Sequence, residues 1–159
     1  MTVHIVVTRE LPASCAAAFD LVHDYDRRLE WDTLLRAARV EGQPIDRGSI
    51  GVCTAKRRLG GFSFRFRYVT FRRPELAAVT LISRAPFFRT WAASIRHEPL
   101  PDGRSTVCYT MTFGCRPALL EPLARAMFRR ETRRRLDALV RALGYSPTAP
   151  SSSSRTTSS

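Results

Sequence analysis

The alternation of apolar and polar positions is the first readable feature of the chain. Val3, Ile5 and Val7 alternate with His4, Val6 and Thr8, which predicts a strand over Thr2–Arg9. The period then changes. Cys15, Ala18, Phe19 and Val22 fall on one helical face within Leu11–Asp24. Pro12 suits a first helical turn, where its missing N–H does no harm. Asp24–Leu29 predicts a second short helix, closed by Glu30-Trp31-Asp32.

From Leu34 onward the pattern is that of strands. They are predicted at Leu34–Glu41, Ser49–Arg58, Phe62–Arg73, Leu76–Ser83, Phe88–Glu98 and Arg104–Cys115. EGQPIDRG, Gly60-Gly61, Pro74 and Pro99–Gly103 supply the turns between them. The clearest alternation is GFSFRFRYVTF, Gly61–Phe71. It sets Phe62, Phe64, Phe66 and Tyr68 on one face and Arg65 and Arg67 on the other. The same parity groups Trp91, Ala93, Ile95 and His97, and again Val107, Tyr109, Met111 and Phe113.

Pro117 opens a long helical run to about Leu143, with Gly144 at a C-cap position. Leu120, Leu123, Ala124 and Met127 form an apolar stripe along it. The continuation of that stripe reaches Glu131, then passes between Arg134 and Arg135 to Ala138. Two readings of Glu131 follow. It anchors a ligand hydroxyl or carries a proton, its pKa raised by burial, or it pairs with Arg135 at i+4 near water. Beyond Tyr145 the stretch SPTAPSSSSRTTSS has no core residue, so residues 146–159 are expected to be a disordered tail after a domain spanning 1–145.

One strand, two short helices, six strands and one long helix imply an α+β fold. A curved antiparallel seven-stranded sheet would wrap around the C-terminal helix. One helix cannot cover a whole sheet face, so space is expected between sheet and helix. The aromatic face of Gly61–Phe71 would look into it.

Length and charge sharpen this picture. The 159 residues suit one domain, and 44% hydrophobic residues is ordinary for a globular protein. No apolar run approaches the roughly 20 residues of a membrane helix, and no secretory leader is visible, so cytoplasmic residence is expected. Cys15, Cys53, Cys108 and Cys115 are scattered and read as free thiols; no metal or cofactor is expected. Formal net charge is +12, and 25 of the 26 basic residues are arginine, Lys56 being the exception. Such a surface attracts anionic membranes or acidic proteins. Without a nucleic-acid reading motif, nucleic acid is not an expected partner. Lys56, Arg57 and Arg58 near the Gly60-Gly61 hairpin, and Arg129, Arg130, Arg133, Arg134 and Arg135 on the long helix, read as a solvated face or a docking surface. His97 reads as a rim residue near a strand end. No Ser/His/Asp set, GxSxG elbow or phosphate-binding glycine loop is present.

Several local words resemble the START-like superfamily, also called SRPBCC, in its polyketide cyclase/dehydrase and lipid-transport branch. They are Leu11-Pro12-Ala13, Ala18-Phe19, Val22, Asp24, Arg27-Arg28 and Glu30-Trp31-Asp32, then Phe128, Arg135-Leu136 and Leu139 in the closing helix. The resemblance spans residues 2–143 and implies the helix-grip fold, with a deep cavity between sheet and helix. Members bind sterols, phospholipids, quinones, plant hormones or polyketide intermediates, and a minority catalyse cyclisation or dehydration.

The expected function is therefore to bind or carry a hydrophobic small molecule: a lipid, quinone or polyketide. The expected ligand-binding residues are Trp31, Phe64, Phe66, Tyr68, Trp91, Ile95, Tyr109, Met111, Met127 and Glu131. No catalytic residue is assigned. The alternatives are an aromatic polyketide cyclase or dehydratase working in the same cavity, and a module whose basic surface docks on a protein, an RNA or an anionic membrane.

Overall fold

The computed structural model describes residues 2–144. The expected tail, and Tyr145 before it, lie outside the described residues. The elements are β1 (Val3–Leu11), α1 (Cys15–His23), α2 (Arg28–Trp31), β2 (Leu35–Glu41), β3 (Ile50–Ala55), β4 (Ser63–Arg72), β5 (Leu76–Leu81), β6 (Phe88–Pro99), β7 (Ser105–Cys115) and α3 (Glu121–Gly144). The strands form one antiparallel sheet in the order β1-β7-β6-β5-β4-β3-β2. The fold is α+β, as expected.

Period-2 alternation decides the sheet's faces. Val3, Ile5 and Val7 point inward from β1 and pair with Phe113, Met111 and Tyr109 of β7. Phe66 and Tyr68 are buried while Arg65 and Arg67 are exposed, so the aromatic face of β4 looks into the molecule. Register shifts lie between Leu35 and Ala37, Tyr68 and Thr70, and Phe88 and Thr90. Bulges of this kind bend a strand and help a sheet to curl. α3 lies in the resulting concavity, chiefly against β1, with Leu136 and Leu139 in the core.

Three local expectations are corrected. The second helix is the single turn Arg28–Trp31, because Asp24 Oδ1 takes the backbone N–H groups of Asp26 and Arg27 into a turn first. α1 is capped by Ser14, whose Oγ accepts from Ala17 N at 3.2 Å, so Pro12 precedes the helix. The third concerns the inward face of α3. A 3-10 turn at Ala118–Leu120 precedes α3, and half of the predicted stripe turns outward: Leu123 is 70% exposed and Met127 38%. Leu120 and Ala124 stay inward, and Phe128, Thr132, Arg135, Leu136 and Leu139 continue the inward face. Phe128 anchors this face between Phe88 and Phe113, with ring centroids at 5.3 and 5.5 Å.

Candidate functional site

Two hollows lie between sheet and helices. The larger, about 80 Å³, runs from α1 and α2 to β4, β6 and α3. The smaller, about 40 Å³, lies under the N-terminal half of α3 and is almost wholly apolar. Leu34, Phe64 and Trp91 belong to both walls and form the partition between them. A hollow needs only some 10–15 Å³ to take one water, so both have real capacity. Gly51 helps to shape the larger one. A Cβ there would stand 2.3 Å from the Phe66 ring and 2.8 Å from the Tyr25 hydroxyl.

The larger hollow is oily except at one end. Trp31, Phe64, Phe66, Tyr68, Trp91, Ile95 and Tyr109 line it. Its polar end is built on Asp32, whose side chain is wholly buried where α2 ends. Arg28 Nε donates to Asp32 Oδ2 at 2.8 Å, from one turn earlier. Arg135 Nη2 of α3 donates to the same oxygen at 2.9 Å, and Leu34 N donates to Oδ1 at 3.1 Å. Arg28 also donates to the Val22 carbonyl and lies 4.8 Å over the Trp31 ring. Arg135 Nη1 reaches the Tyr109 hydroxyl at 3.4 Å.

The electrostatics follow from this geometry. Burial alone would raise the pKa of Asp32, but the charges and hydrogen bonds of Arg135 and Arg28 outweigh it and hold the carboxyl below its usual range. Burial opposes charge on both guanidiniums, and Asp32 more than restores it. Two buried cations share one buried anion, so the cluster carries a net positive charge. Arg135 Nε and Trp31 Nε1 are buried without a hydrogen-bond partner among the described residues. Beside them the Tyr25 and Tyr68 hydroxyls meet at 2.8 Å. One of the two donates to the other, and the acceptor keeps its own proton for a guest. Burial raises both phenols' pKa values. The Cys53 thiol in the same wall is pushed up by burial to about 11, so it is no thiolate nucleophile at neutral pH.

His23, also in the wall, donates from Nδ1 to the Phe19 carbonyl at 2.8 Å. Burial lowers its pKa to about 3, which leaves a neutral ring with Nε2 free to accept. His97 is not the rim residue its place near a strand end suggested. It is buried edge-on to Phe19 at 5.9 Å, neither ring nitrogen has a partner among the described residues, and burial lowers its pKa to about 4.

Three expected site residues fall elsewhere. Met111 lines the smaller hollow. Met127 is in neither wall and faces outward. Glu131 is buried but held at the edge of the hairpin between β3 and β4. Arg58 donates to it twice, at 2.9 and 3.2 Å, and Arg134 once at 3.4 Å. Its partners are thus Arg58 and Arg134, not Arg135. Burial alone would raise its pKa, but Arg58 and its neighbours hold the carboxyl low, the opposite of the direction expected for a proton carrier. The site residues to which the sequence assigns no ligand-binding role are Arg28, Asp32, Arg135 and Tyr25, the first three standing among the words of the family resemblance. The available signals were the i,i+4 spacing of Arg28 and Asp32 and the stripe that passed beside Arg135.

Comparison with known proteins agrees with this architecture. The family described as polyketide cyclase / dehydrase and lipid transport matches residues 2–144. No curated protein matches the chain. Among solved structures, the Zhui aromatase/cyclase from Streptomyces sp. R1128 superposes with a TM-score of 0.77 at 15% identity, covering 91% of this chain and 94% of that one. An uncharacterized protein from Bacillus thuringiensis superposes with a TM-score of 0.67 at 15% identity, covering 89% and 98%. At such identities the likeness is one of fold, the helix-grip fold. Among the described residues no helix is long and apolar enough to cross a membrane.

Proposed function

The chain belongs to the polyketide cyclase / dehydrase and lipid transport family, and from that membership we propose that it holds a hydrophobic small molecule, a lipid, quinone or polyketide, between its sheet and α3. One observation carries this reading. An oily hollow ends in a buried, net positive cluster that keeps unpartnered donors on Arg135 and Trp31. Such groups are costly to bury unless something accepts from them. A guest with an acidic or polarised oxygen at one end supplies that acceptor. Its apolar body lies against Phe66, Trp91 and Ile95, and 200 Å² of apolar surface contributes roughly 5 kcal/mol at about 25 cal/mol per Å². A larger guest also takes the smaller hollow once the Phe64 and Trp91 rings swing aside.

Native mass spectrometry of freshly purified protein tests the reading, followed by titration with a fatty acid, a naphthoquinone and a phenolic polyketide. Binding by at least one, weakened about tenfold or more in Arg135→Met, is the expected result. Failure of all three to bind, with no retained guest, overturns it.

A second reading has the same end catalyse cyclisation or dehydration of a polyketide, as the family description allows. The Tyr25–Tyr68 hydroxyl pair and the Arg135–Tyr109 contact favour it, because they set several proton-bearing groups around one cavity. In an aldol closure the carbon of an enolised β-diketone unit bonds to a ketone carbon of the same chain, and the π bond of that ketone opens. The enol O–H proton passes to the new alkoxide through the Tyr25–Tyr68 hydroxyl pair, which gives one proton and takes one back. Dehydration then removes the new hydroxyl together with a neighbouring C–H proton as water. Turnover of a poly-β-ketone that falls in Tyr68→Phe while binding persists supports this reading, and binding without turnover removes it.

A further inference from the structure

The sheet is not closed between β5 and β6. Their pairing runs from Leu76↔Arg96 to Thr80↔Ala92 and stops there. Beyond that point the two sides follow different partners. Ile82 N and Ser83 N donate to the Arg65 carbonyl at 2.9 and 3.4 Å, and Ser83 Oγ accepts from Arg65 N at 2.9 Å, so this segment stays with β4. Phe88, Thr90 and Trp91 pair with Cys115, Gly114 and Phe113, so they stay with β7. The strands part, and a groove of about 730 Å³ opens on the outer side of the sheet.

The groove's composition differs from that of the hollows behind it. Arg84, Arg89 and Arg116 all line it, together with Ser83 and Thr90. Among the described residues none of the three arginines forms an ion pair, whereas Arg65 and Arg73 nearby each hold a carboxylate. Leu81, Phe88 and Trp91 line both this groove and the smaller apolar hollow. Cationic outer wall and apolar inner chamber thus share one set of side chains. Ile82 and Phe87, 39% and 50% exposed, add apolar surface along the same segment.

Resting on the proposed hollow, we infer that the parting of β5 and β6 is the head-group site of an anionic amphiphile: a phosphate ester sits on Arg84, Arg89 and Arg116, and its apolar chain passes by Leu81, Phe88 and Trp91 into the interior. Guanidinium forks match phosphate oxygens in pairs, and three of them exceed the charge of one phosphate monoester. The chain needs an apolar route directly behind the head; Leu81, Phe88 and Trp91 stand between groove and hollow, and the chain enters as these side chains part.

Calorimetric titration of the full chain with decyl phosphate, 1-decanol and inorganic phosphate, each below any micellar concentration, tests this. Decyl phosphate is expected to bind about tenfold or more tighter than decanol. Replacing Arg84, Arg89 and Arg116 together by Ala should bring decyl phosphate down to the level of decanol and leave decanol unchanged. Replacing Arg125, Arg129 and Arg133 by Ala removes the same charge from the outer face of α3 and should change decyl phosphate affinity by no more than about twofold. Decyl phosphate, unlike inorganic phosphate, should shift Trp91 fluorescence in a Trp31→Phe background. Equal affinity for decyl phosphate and decanol overturns the head-group site while the hollow stands. Equal losses in the two triple variants, or inorganic phosphate binding as tightly as decyl phosphate, also overturn it. Binding to phosphatidylglycerol vesicles without binding of monomeric decyl phosphate assigns the arginines to a membrane surface and overturns it too. Binding of neither decyl phosphate nor decanol removes the hollow reading, and this inference with it.

Discussion

Arg135 of the closing helix donates to Asp32 at 2.9 Å across 103 positions of sequence, and both side chains are buried. The contact ties the end of α2 to the middle of α3 and makes the floor of the hollow's polar end. Arg28 completes it from the other side at 2.8 Å. The same three residues thus join two distant segments and hold the hollow's charge.

Asp32→Asn should be far more harmful than Arg135→Met. The first leaves two buried guanidiniums with no anion between them, and breaking a buried pair in this way costs about 3–5 kcal/mol. The second leaves Arg28 with Asp32, a balanced pair, beside a side chain of similar reach. Urea denaturation at neutral pH measures both. Equal losses would mean that the net positive charge is not held by Asp32.

Stability should begin to fall on acidification well above the carboxylate range. The pKa values of His23 and His97 are lowered by burial to about 3 and about 4, from an ordinary 6.5. Below about pH 6.5 the unfolded chain takes up these protons and the native state does not. Each histidine then removes roughly 1.4 kcal/mol per pH unit until its folded pKa is reached. Asp32, held low by its arginines, adds a further loss below about pH 4. Urea midpoints at pH 7.5, 6.0 and 5.0 should fall steadily, and His97→Leu should flatten the slope by about half. A flat profile over this range would contradict the buried neutral rings.

The strands and their inward faces could be read in advance because a period of two leaves no freedom: once Phe66 faces inward, Arg65 and Arg67 cannot. The closing helix was harder. A period of 3.6 lets an apolar stripe rotate by one position at little cost to the pattern, and here Leu123 and Met127 rotate outward while Thr132 and Arg135 rotate in. Hydrophobicity cannot announce a buried arginine, because its burial depends on a carboxylate that lies 103 positions away. His97 was misplaced for a related reason. A strand end lies at the rim only if nothing covers it, and α1 covers this one through Phe19.

Gly51→Ala should disturb the larger hollow from behind. The added methyl would meet the Phe66 ring at 2.3 Å and the Tyr25 hydroxyl at 2.8 Å. Both must shift, and overpacking of this kind costs about 1–3 kcal/mol. The Tyr25–Tyr68 hydroxyl contact of 2.8 Å should lengthen or break as Tyr25 retreats. Thermal denaturation reads the stability, and a crystal structure of the variant reads the contact. An unchanged melting temperature would mean that the Phe66 ring has room this packing does not give it.

Glu131→Gln and Arg135→Met, four residues apart on α3, should separate structure from binding. Glu131 is tied to Arg58, which is half exposed, so losing its charge should cost about 1 kcal/mol or less. It lines neither hollow, so affinity for any guest of the interior should not move. Arg135 lines the larger hollow and presents an unpartnered Nε. Its replacement should weaken a guest bearing an acidic oxygen about tenfold or more and an uncharged hydrocarbon guest hardly at all. Titration of the unmutated protein and both variants with one fatty acid and its parent alkane measures each change. Equal weakening of acid and alkane in Arg135→Met would show that the arginine serves only to pack α3, and weakening of the acid in Glu131→Gln would restore that carboxylate to the site.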